Sequence, residues 1–317
     1  MDIVHYSVLK EEVYSYLEPG EDDSLLIDCT LGEGGHTEMF LSRCPHLNTI
    51  GLDADEKIMD VAKQRLAVYE GRARFYNQWF NGFFRQYPLG DERPDLILFD
   101  LGISIFHYEK SGRGFSFLRD EPLDMRLSAD LEISAADIVN NYPESEIADL
   151  IFQFGEERYS RRFARAIVED RKKVPFETTV QLAGLIKRVS PPDYRRGRIH
   201  PATKTFQALR IAVNGELARL DSVLLNALQI LRPGGRMGVI TFHSLEDRIV
   251  KHFFKSLNKT CICPPEQPIC NCKGRKIVDI LTKKPVIPTE QERSENPPSR
   301  SAKLRVVRKI SDEEFRI

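Results

Sequence analysis

Four apolar residues in succession, Leu96-Ile97-Leu98-Phe99, stand between Asp95 and Asp100. Successive side chains of a strand point to opposite faces, so a run apolar at every position is buried on both. Such a strand belongs in the middle of a parallel sheet, and that sheet needs helices on each side. The residues before it supply the remaining parts. Apolar runs at 24–28 and 48–53, and a short third at 73–76, alternate with helical spacing that starts at 37–43 and recurs over 56–69. In the latter, Ile58, Val61, Ala62 and Leu66 share one face. No unit repeats at a period of 20–50 residues. The alternation predicts an α/β fold, a doubly wound sheet with right-handed crossovers.

The rhythm lapses between about 112 and 204. There 134–140, 144–154, 161–170 and 179–189 have helical spacing, Pro175 and Pro191-Pro192 interrupt it, and no strand is predicted. It resumes with a helix expected over 206–231, a Pro233-Gly234-Gly235 turn and a strand at 236–242. A loop-rich stretch follows, then 302–308, whose polar–apolar alternation suits an outer strand. The expected organisation is one core, 1–110 with 206–317, split by a helical insert at 111–205.

With 317 residues, 41% hydrophobic and 29% charged, the chain can bury a sizeable core and is too apolar for disorder. No apolar run approaches the roughly 18–20 residues that cross a bilayer, and the first residues lack the pattern of a signal peptide. The expectation is a cytoplasmic protein without a membrane partner. Net charge is −1, from 46 Lys+Arg against 47 Asp+Glu, but the sum hides asymmetry. Between 187 and 204 there are six Lys/Arg and one acid, Asp193; between 299 and 310 there are five and no acid; acids dominate 120–157. This map suits one or two basic faces, and solvated helix faces explain either run taken alone equally well. Cys29 and Cys44 read as small buried residues. Cys261, Cys263, Cys270 and Cys272 have enough thiolates for tetrahedral zinc, but the Cys-x-Cys spacing is tighter than the usual gap, and no metal site is assigned to them.

The most informative segment is Ile27-Asp28-Cys29-Thr30-Leu31-Gly32-Glu33-Gly34-Gly35-His36-Thr37. A Gly-rich turn between a first strand and first helix lets backbone approach a ligand where a side chain would not fit, although a tight turn without a ligand uses the same residues. A dinucleotide fingerprint would need Gly or Ala at position 37, which is Thr37. Asp53, ending the second strand, is placed to accept hydrogen bonds from both ribose hydroxyls of an adenosine cofactor; helix capping is the competing role, which Asp55 fills equally well. The combination fits S-adenosylmethionine better than NAD. Trp79 and Phe80 follow the third strand and are candidates to wall an adenine, or plain core. Asp100 points into the same crevice from the fourth strand.

These residues resemble the RsmH (formerly MraW) family, bacterial 16S rRNA cytosine-N4 methyltransferases. The likeness runs through His5-Tyr6-Ser7-Val8-Leu9, the 28–36 turn, Asp100-Leu101-Gly102-Ile103-Ser104, Arg113-Gly114-Phe115-Ser116-Phe117 and Pro122-Leu123-Asp124-Met125-Arg126. It continues in Gly155-Glu156-Glu157-Arg158, in His200-Pro201-Ala202-Thr203-Lys204-Thr205-Phe206-Gln207-Ala208-Leu209-Arg210, and in Phe242-His243-Ser244-Leu245-Glu246-Asp247-Arg248. The resemblance implies a class I S-adenosylmethionine-dependent methyltransferase (a Rossmann-like doubly wound sheet) with an inserted helical domain. Its substrate would be a cytidine in the decoding region of small-subunit rRNA. By motif position it places cofactor contacts on Gly34, Gly35, His36, Asp53, Phe80 and Asp100. His107 occupies the position of a Gln in the family's usual Ser-Ser-x-Gln stretch; its imidazole keeps a hydrogen-bonding nitrogen and adds pH dependence.

The chemistry needs an acceptor for the hydrogens of the cytosine amine, whose lone pair is delocalised into the ring; such an acceptor favours pyramidal nitrogen and stabilises the charge that develops. Asp100 or a nearby backbone carbonyl is the candidate, and the base must leave its stack to be reached. His243 and Ser244, after the strand at 236–242, are candidates to hold the base or its ribose; a loop anchored by Glu246, Asp247 and Arg248 is the alternative. Arg195, Arg196 and Arg198, beside Tyr194, are expected to bind RNA phosphates. Arg113, Arg119 and Arg126 either meet phosphate or pair with nearby acids. Two other functions stay open at this point: DNA cytosine-N4 methylation, although the Pro-Pro-aromatic usual after the fourth-strand acid is here Leu101-Gly102-Ile103, and a non-catalytic RNA-binding assembly factor. A homodimer is compatible with the sequence.

Overall fold

The computed structural model describes residues 6–87, 92–260, 267 and 276–312. It divides into two compact units, one formed by Met1–Ile103 with Ala218–Ile317 and the other by Ser104–Leu217. The expected insert, 111–205, falls inside the second unit, which extends beyond it at both ends.

The first unit begins with α1 (Lys10–Leu17), followed by β1 (Leu25–Asp28), α2 (Gly35–Arg43), β2 (Asn48–Asp53), α3 (Glu56–Leu66), β3 (Ala73–Asn77), α4 (Phe80–Gln86) and β4 (Leu96–Asp100). The second unit holds α5 (Ile105–Glu109), α6 (Ala135–Asn141), α7 (Glu144–Gly155), α8 (Ser160–Arg171), α9 (Thr179–Val189), α10 (Pro192–Arg195) and α11 (Thr203–Asn214). The chain then continues through α12 (Glu216–Ile230), β5 (Arg236–Thr241), α13 (Ser244–Leu257), β6 (Val278–Ile280), α14 (Glu290–Glu295) and β7 (Lys303–Lys309).

All seven strands form one sheet in the order β3-β2-β1-β4-β5-β7-β6. The first five pair in parallel and β7 runs antiparallel to both β5 and β6. This is the class I methyltransferase arrangement. Alternate side chains of the central strands enter opposite layers, as the unbroken apolar runs require. Leu25, Ile27, Ile97 and Phe99 pack with Phe84 of α4, Leu224 of α12 and Phe254 of α13. Leu26, Leu96 and Leu98 pack on the other side with Leu17 of α1 and Phe40 of α2.

Three expectations are corrected. The helix expected over 206–231 is two helices, because Gly215 adopts φ 59° and its N–H closes on the carbonyls of Ile211 and Ala212, ending α11. The loop-rich stretch after β5 begins with the 14-residue helix α13. Strand β7 is not at the edge: the three-residue β6 covers it. Two of its polar positions are buried through pairing, Arg305 on Asp247 and Lys309 on the carbonyls of Gln229 and Leu231, while Arg308 stays exposed. In the second unit α7 packs on α8 and α11, and among the described residues the region holds no strand, only the isolated bridge Pro122–Thr178.

Candidate active site

The parallel sheet brings the carboxyl ends of β2, β1 and β4 side by side, each ending in an acid: Asp53, Asp28 and Asp100. The turn after β1 is tied to both neighbouring strands, Cys29 N–H to Leu98 O and Leu31 N–H to Leu52 O, each at 2.8 Å. Gly34 caps α2 at φ 79°, where a side chain is strained, and a Cβ on Gly35 would collide with Ser7 Oγ. These two glycines therefore answer to the turn itself, whatever ligand it faces.

The competing roles of the acids separate clearly. Asp55 caps α3 by accepting Lys57 N–H at 3.1 Å. Asp53 is thereby spared that role. Its two carboxylate oxygens accept the N–H groups of Gly32 and Asp55, each at 2.9 Å, and so fix the carboxylate against the Gly-rich turn. An ionised carboxylate has about four acceptor positions and accepts several donors at once. Asp100 is likewise not a helix cap, since Ser104 caps α5.

Asp100 is instead held by its backbone, whose N–H donates to Thr30 Oγ1 at 2.6 Å. Thr30 N–H donates in turn to Asp28 Oδ1 at 3.3 Å, and Thr37 Oγ1 to Asp28 Oδ2 at 2.8 Å. Asp28 is fully enclosed, and burial pushes its carboxyl up to about 6 against the opposing pull of His36 and the Thr37 hydrogen bond. His36 Nε2 lies 3.5 Å from Asp100 Oδ2, without hydrogen-bond alignment. Both ring nitrogens of His36 and Oδ1 of Asp100 are buried with no hydrogen-bond partner among the described residues. Buried polar atoms are normally satisfied, so a cluster of three orphans beside a backbone turn fits a polar ligand.

Phe80 opens α4 beyond β3, half-buried, with its ring edge-on to Phe99 at 5.7 Å. Trp79 has the Arg219 guanidinium over its ring at 4.0 Å, so that face is taken. The Trp79–Arg219 pair was not legible, since α12 brings in Arg219 from a distant part of the chain. His243 caps α13: its Nδ1 accepts Glu246 N–H at 3.4 Å, while Glu246 accepts the N–H groups of Phe242 and His243. Ser244 is the exposed first residue of that helix. The Ser-Leu-Glu spacing after His243 was the available signal for this capping box.

The second unit contains His107, buried against the rings of Phe106 and Phe115. Arg195, Arg196 and Arg198 are all exposed and make no ion pair among the described residues. Tyr194 is committed inward, its hydroxyl donating to the buried Glu157 and its ring packed on Tyr159. Arg126 forms a two-pronged pair with Asp124, and Arg113 donates to the carbonyls of Arg126 and Leu127, so both serve their own loop. His5 and the four cysteines Cys261, Cys263, Cys270 and Cys272 lie outside the described residues.

A sequence profile for the MraW methylase family matches residues 2–310. The chain belongs to the MraW methylase family. It is 59% identical over 310 residues to the ribosomal RNA small subunit methyltransferase H of Treponema denticola, covering 98% of each chain. The enzyme of the same name from Borrelia garinii is 45% identical over 98% of this chain and 99% of its own. That of Clostridium botulinum is 43% identical over 98% of this chain and 100% of its own. Membership makes the chain a methyltransferase, an enzyme. Among the described residues no helix is long and apolar enough to cross a membrane.

Proposed function

We propose that this chain transfers a methyl group from S-adenosylmethionine to N4 of a cytidine in the decoding region of small-subunit rRNA. The observation that carries the proposal is the orphaned His36–Asp100 cluster beside the 32–35 turn, in a chain of the MraW methylase family. When bound, S-adenosylmethionine supplies an electrophilic methyl group on a sulfonium. Asp53, whose carboxylate is fixed against the turn at the end of β2, accepts the ribose hydroxyls. Phe80 offers an aromatic face for the adenine. The backbone of Gly34 and Gly35, with His36, lines the methionine end.

The amine nitrogen needs help because its lone pair is shared with the ring. Asp100 Oδ1, buried and unengaged, accepts one of its hydrogens and stabilises the positive charge that builds on nitrogen. Preorganisation through Thr30 means little rearrangement is needed during the transfer. As the nitrogen–carbon bond forms, the sulfonium–methyl bond would break to leave the neutral thioether, and the extra proton on nitrogen would then pass through Asp100 to solvent. Arg195, Arg196 and Arg198 hold RNA phosphates, while His243 and Ser244 are assigned to the target nucleotide.

The DNA alternative shares the amine chemistry, but the similar proteins of Treponema denticola, Clostridium botulinum and Borrelia garinii are named for small-subunit rRNA. The test uses methyl-labelled S-adenosylmethionine with small-subunit rRNA from cells lacking this chain. Label recovered as N4-methylcytidine by mass spectrometry is the expected result. Label on another nucleoside, or on DNA alone, overturns the proposal.

A further inference from the structure

Ser7 reaches the Gly-rich turn from the start of the chain. Its Oγ stands 2.2 Å from the point where a Cβ on Gly35 would lie, so the hydroxyl rests against the first residue of α2. The segment around it is fixed by core and by two tethers. Val8 and Leu9 are buried with Met39 and Phe40 of α2. Leu9 adopts the left-handed conformation at φ 52°, and its N–H donates to Glu292 Oε1 of α14 at 2.7 Å. Asn296, which caps the end of α14, donates from Nδ2 to Tyr6 O at 3.0 Å. Ser7 lies between these two tethers, both supplied by one distant helix.

Three features suit this place to an anion. Helix α2 has no side-chain cap, so the N–H groups of its first turn present the positive end of the helix dipole. Arg65 Nη1 comes within 3.3 Å of the same point on Gly35, and Glu38 holds that guanidinium at 2.7 Å. His36, the second residue of α2, is buried with both ring nitrogens unpartnered among the described residues. Asp53 is bound to the other end of the turn through Gly32. With the ribose on Asp53, the amino-acid end of the cofactor falls toward residues 34–36, and the anion it carries there is a carboxylate.

We infer that Ser7 donates its hydroxyl to the carboxylate of S-adenosylmethionine beside the N–H groups that open α2, and that Asn296 is the positioning residue that holds Ser7 there. This rests on the S-adenosylmethionine reading above and adds to it a contact from outside the turn. A hydroxyl donating to a carboxylate makes a charge-assisted hydrogen bond, which is stronger than a neutral one.

The test is calorimetry on the full chain with two ligands: S-adenosylhomocysteine, and its decarboxylated form, which lacks only that carboxylate. Ser7→Ala weakens S-adenosylhomocysteine binding about tenfold and leaves binding of the decarboxylated form within about twofold. Asn296→Ala gives the same selective loss, and combining it with Ser7→Ala costs no further affinity. Unchanged S-adenosylhomocysteine binding by Ser7→Ala, or an equal loss for both ligands, overturns the inference and leaves the cofactor reading standing. A further loss in the double variant overturns the role of Asn296. Failure of the unaltered chain to bind S-adenosylhomocysteine overturns the cofactor reading, and the contact from Ser7 falls with it.

Discussion

Thr30 Oγ1 accepts the backbone N–H of Asp100 at 2.6 Å, fastening the Gly-rich turn to the end of β4. Valine at position 30 keeps the shape and removes the acceptor. The Asp100 N–H then stays unsatisfied, at a cost of about 1–3 kcal/mol. Thr30→Val is expected to lower stability in urea by that amount and to weaken S-adenosylmethionine binding by calorimetry, while Thr30→Ser restores both. Full binding by the valine variant would mean that Asp100 is positioned without Thr30.

Asp28 gives the fold a pH signature. Its carboxyl is raised from an ordinary 3.8 to about 6, so between those values the folded chain binds more protons than the unfolded one. The stability it contributes is complete below pH 3.8 and is lost as the pH rises through about 6. The shift corresponds to roughly 3 kcal/mol. Asp28→Asn cannot ionise. Relative to the unaltered chain it should gain stability steadily from pH 4 to about 7 in urea titrations. A difference that stays flat across that window would show Asp28 to be ionised throughout.

Asp53 joins the turn and, in the proposed site, the ribose. Asp53→Ala removes the acceptor of the Gly32 and Asp55 N–H groups together with the hydroxyl contacts. The loss of S-adenosylmethionine affinity is expected to reach about a hundredfold, or roughly 3 kcal/mol. Asp55→Ala removes the α3 cap, leaves the residue's own N–H to donate to Asp53, and should cost about 1 kcal/mol of stability. Calorimetry and urea unfolding on the two variants separate binding from capping, and equal affinity losses would contradict the division.

The parallel sheet and the burial of its central strands followed from the apolar runs because a buried parallel strand leaves no room for polar positions. The turn at 32–35 was legible for the same local reason, since its backbone shape tolerates little but glycine. What was not legible depends on partners far away in the chain. Nothing near Thr30 shows that β4, some 70 residues later, supplies the N–H it accepts. Sequence could not choose between Asp53 and Asp55; the capping bond to Lys57 decides it. The burial of Arg305 and Lys309 was not legible because their partners, Asp247 and the carbonyls of Gln229 and Leu231, lie outside that segment.

The two basic runs therefore predict opposite phenotypes. Arg195, Arg196 and Arg198 are exposed and free of acids among the described residues, so replacing all three by Ala should leave thermal stability within about 0.5 kcal/mol. RNA binding should weaken, and the slope of log affinity against log salt should flatten by about 0.7 for each lost phosphate contact to a single strand. Arg305 is nearly buried and grips both oxygens of Asp247. Arg305→Ala strands that carboxylate with only the longer Lys303 contact and should cost about 3 kcal/mol of stability. The surviving folded fraction should bind RNA with an unchanged salt slope, because a cation already neutralised by Asp247 releases no counterion from phosphate. Filter binding across a salt series, beside urea unfolding of the same preparations, reads both effects. A flattened slope for Arg305→Ala would move the RNA face to the carboxyl-terminal strand.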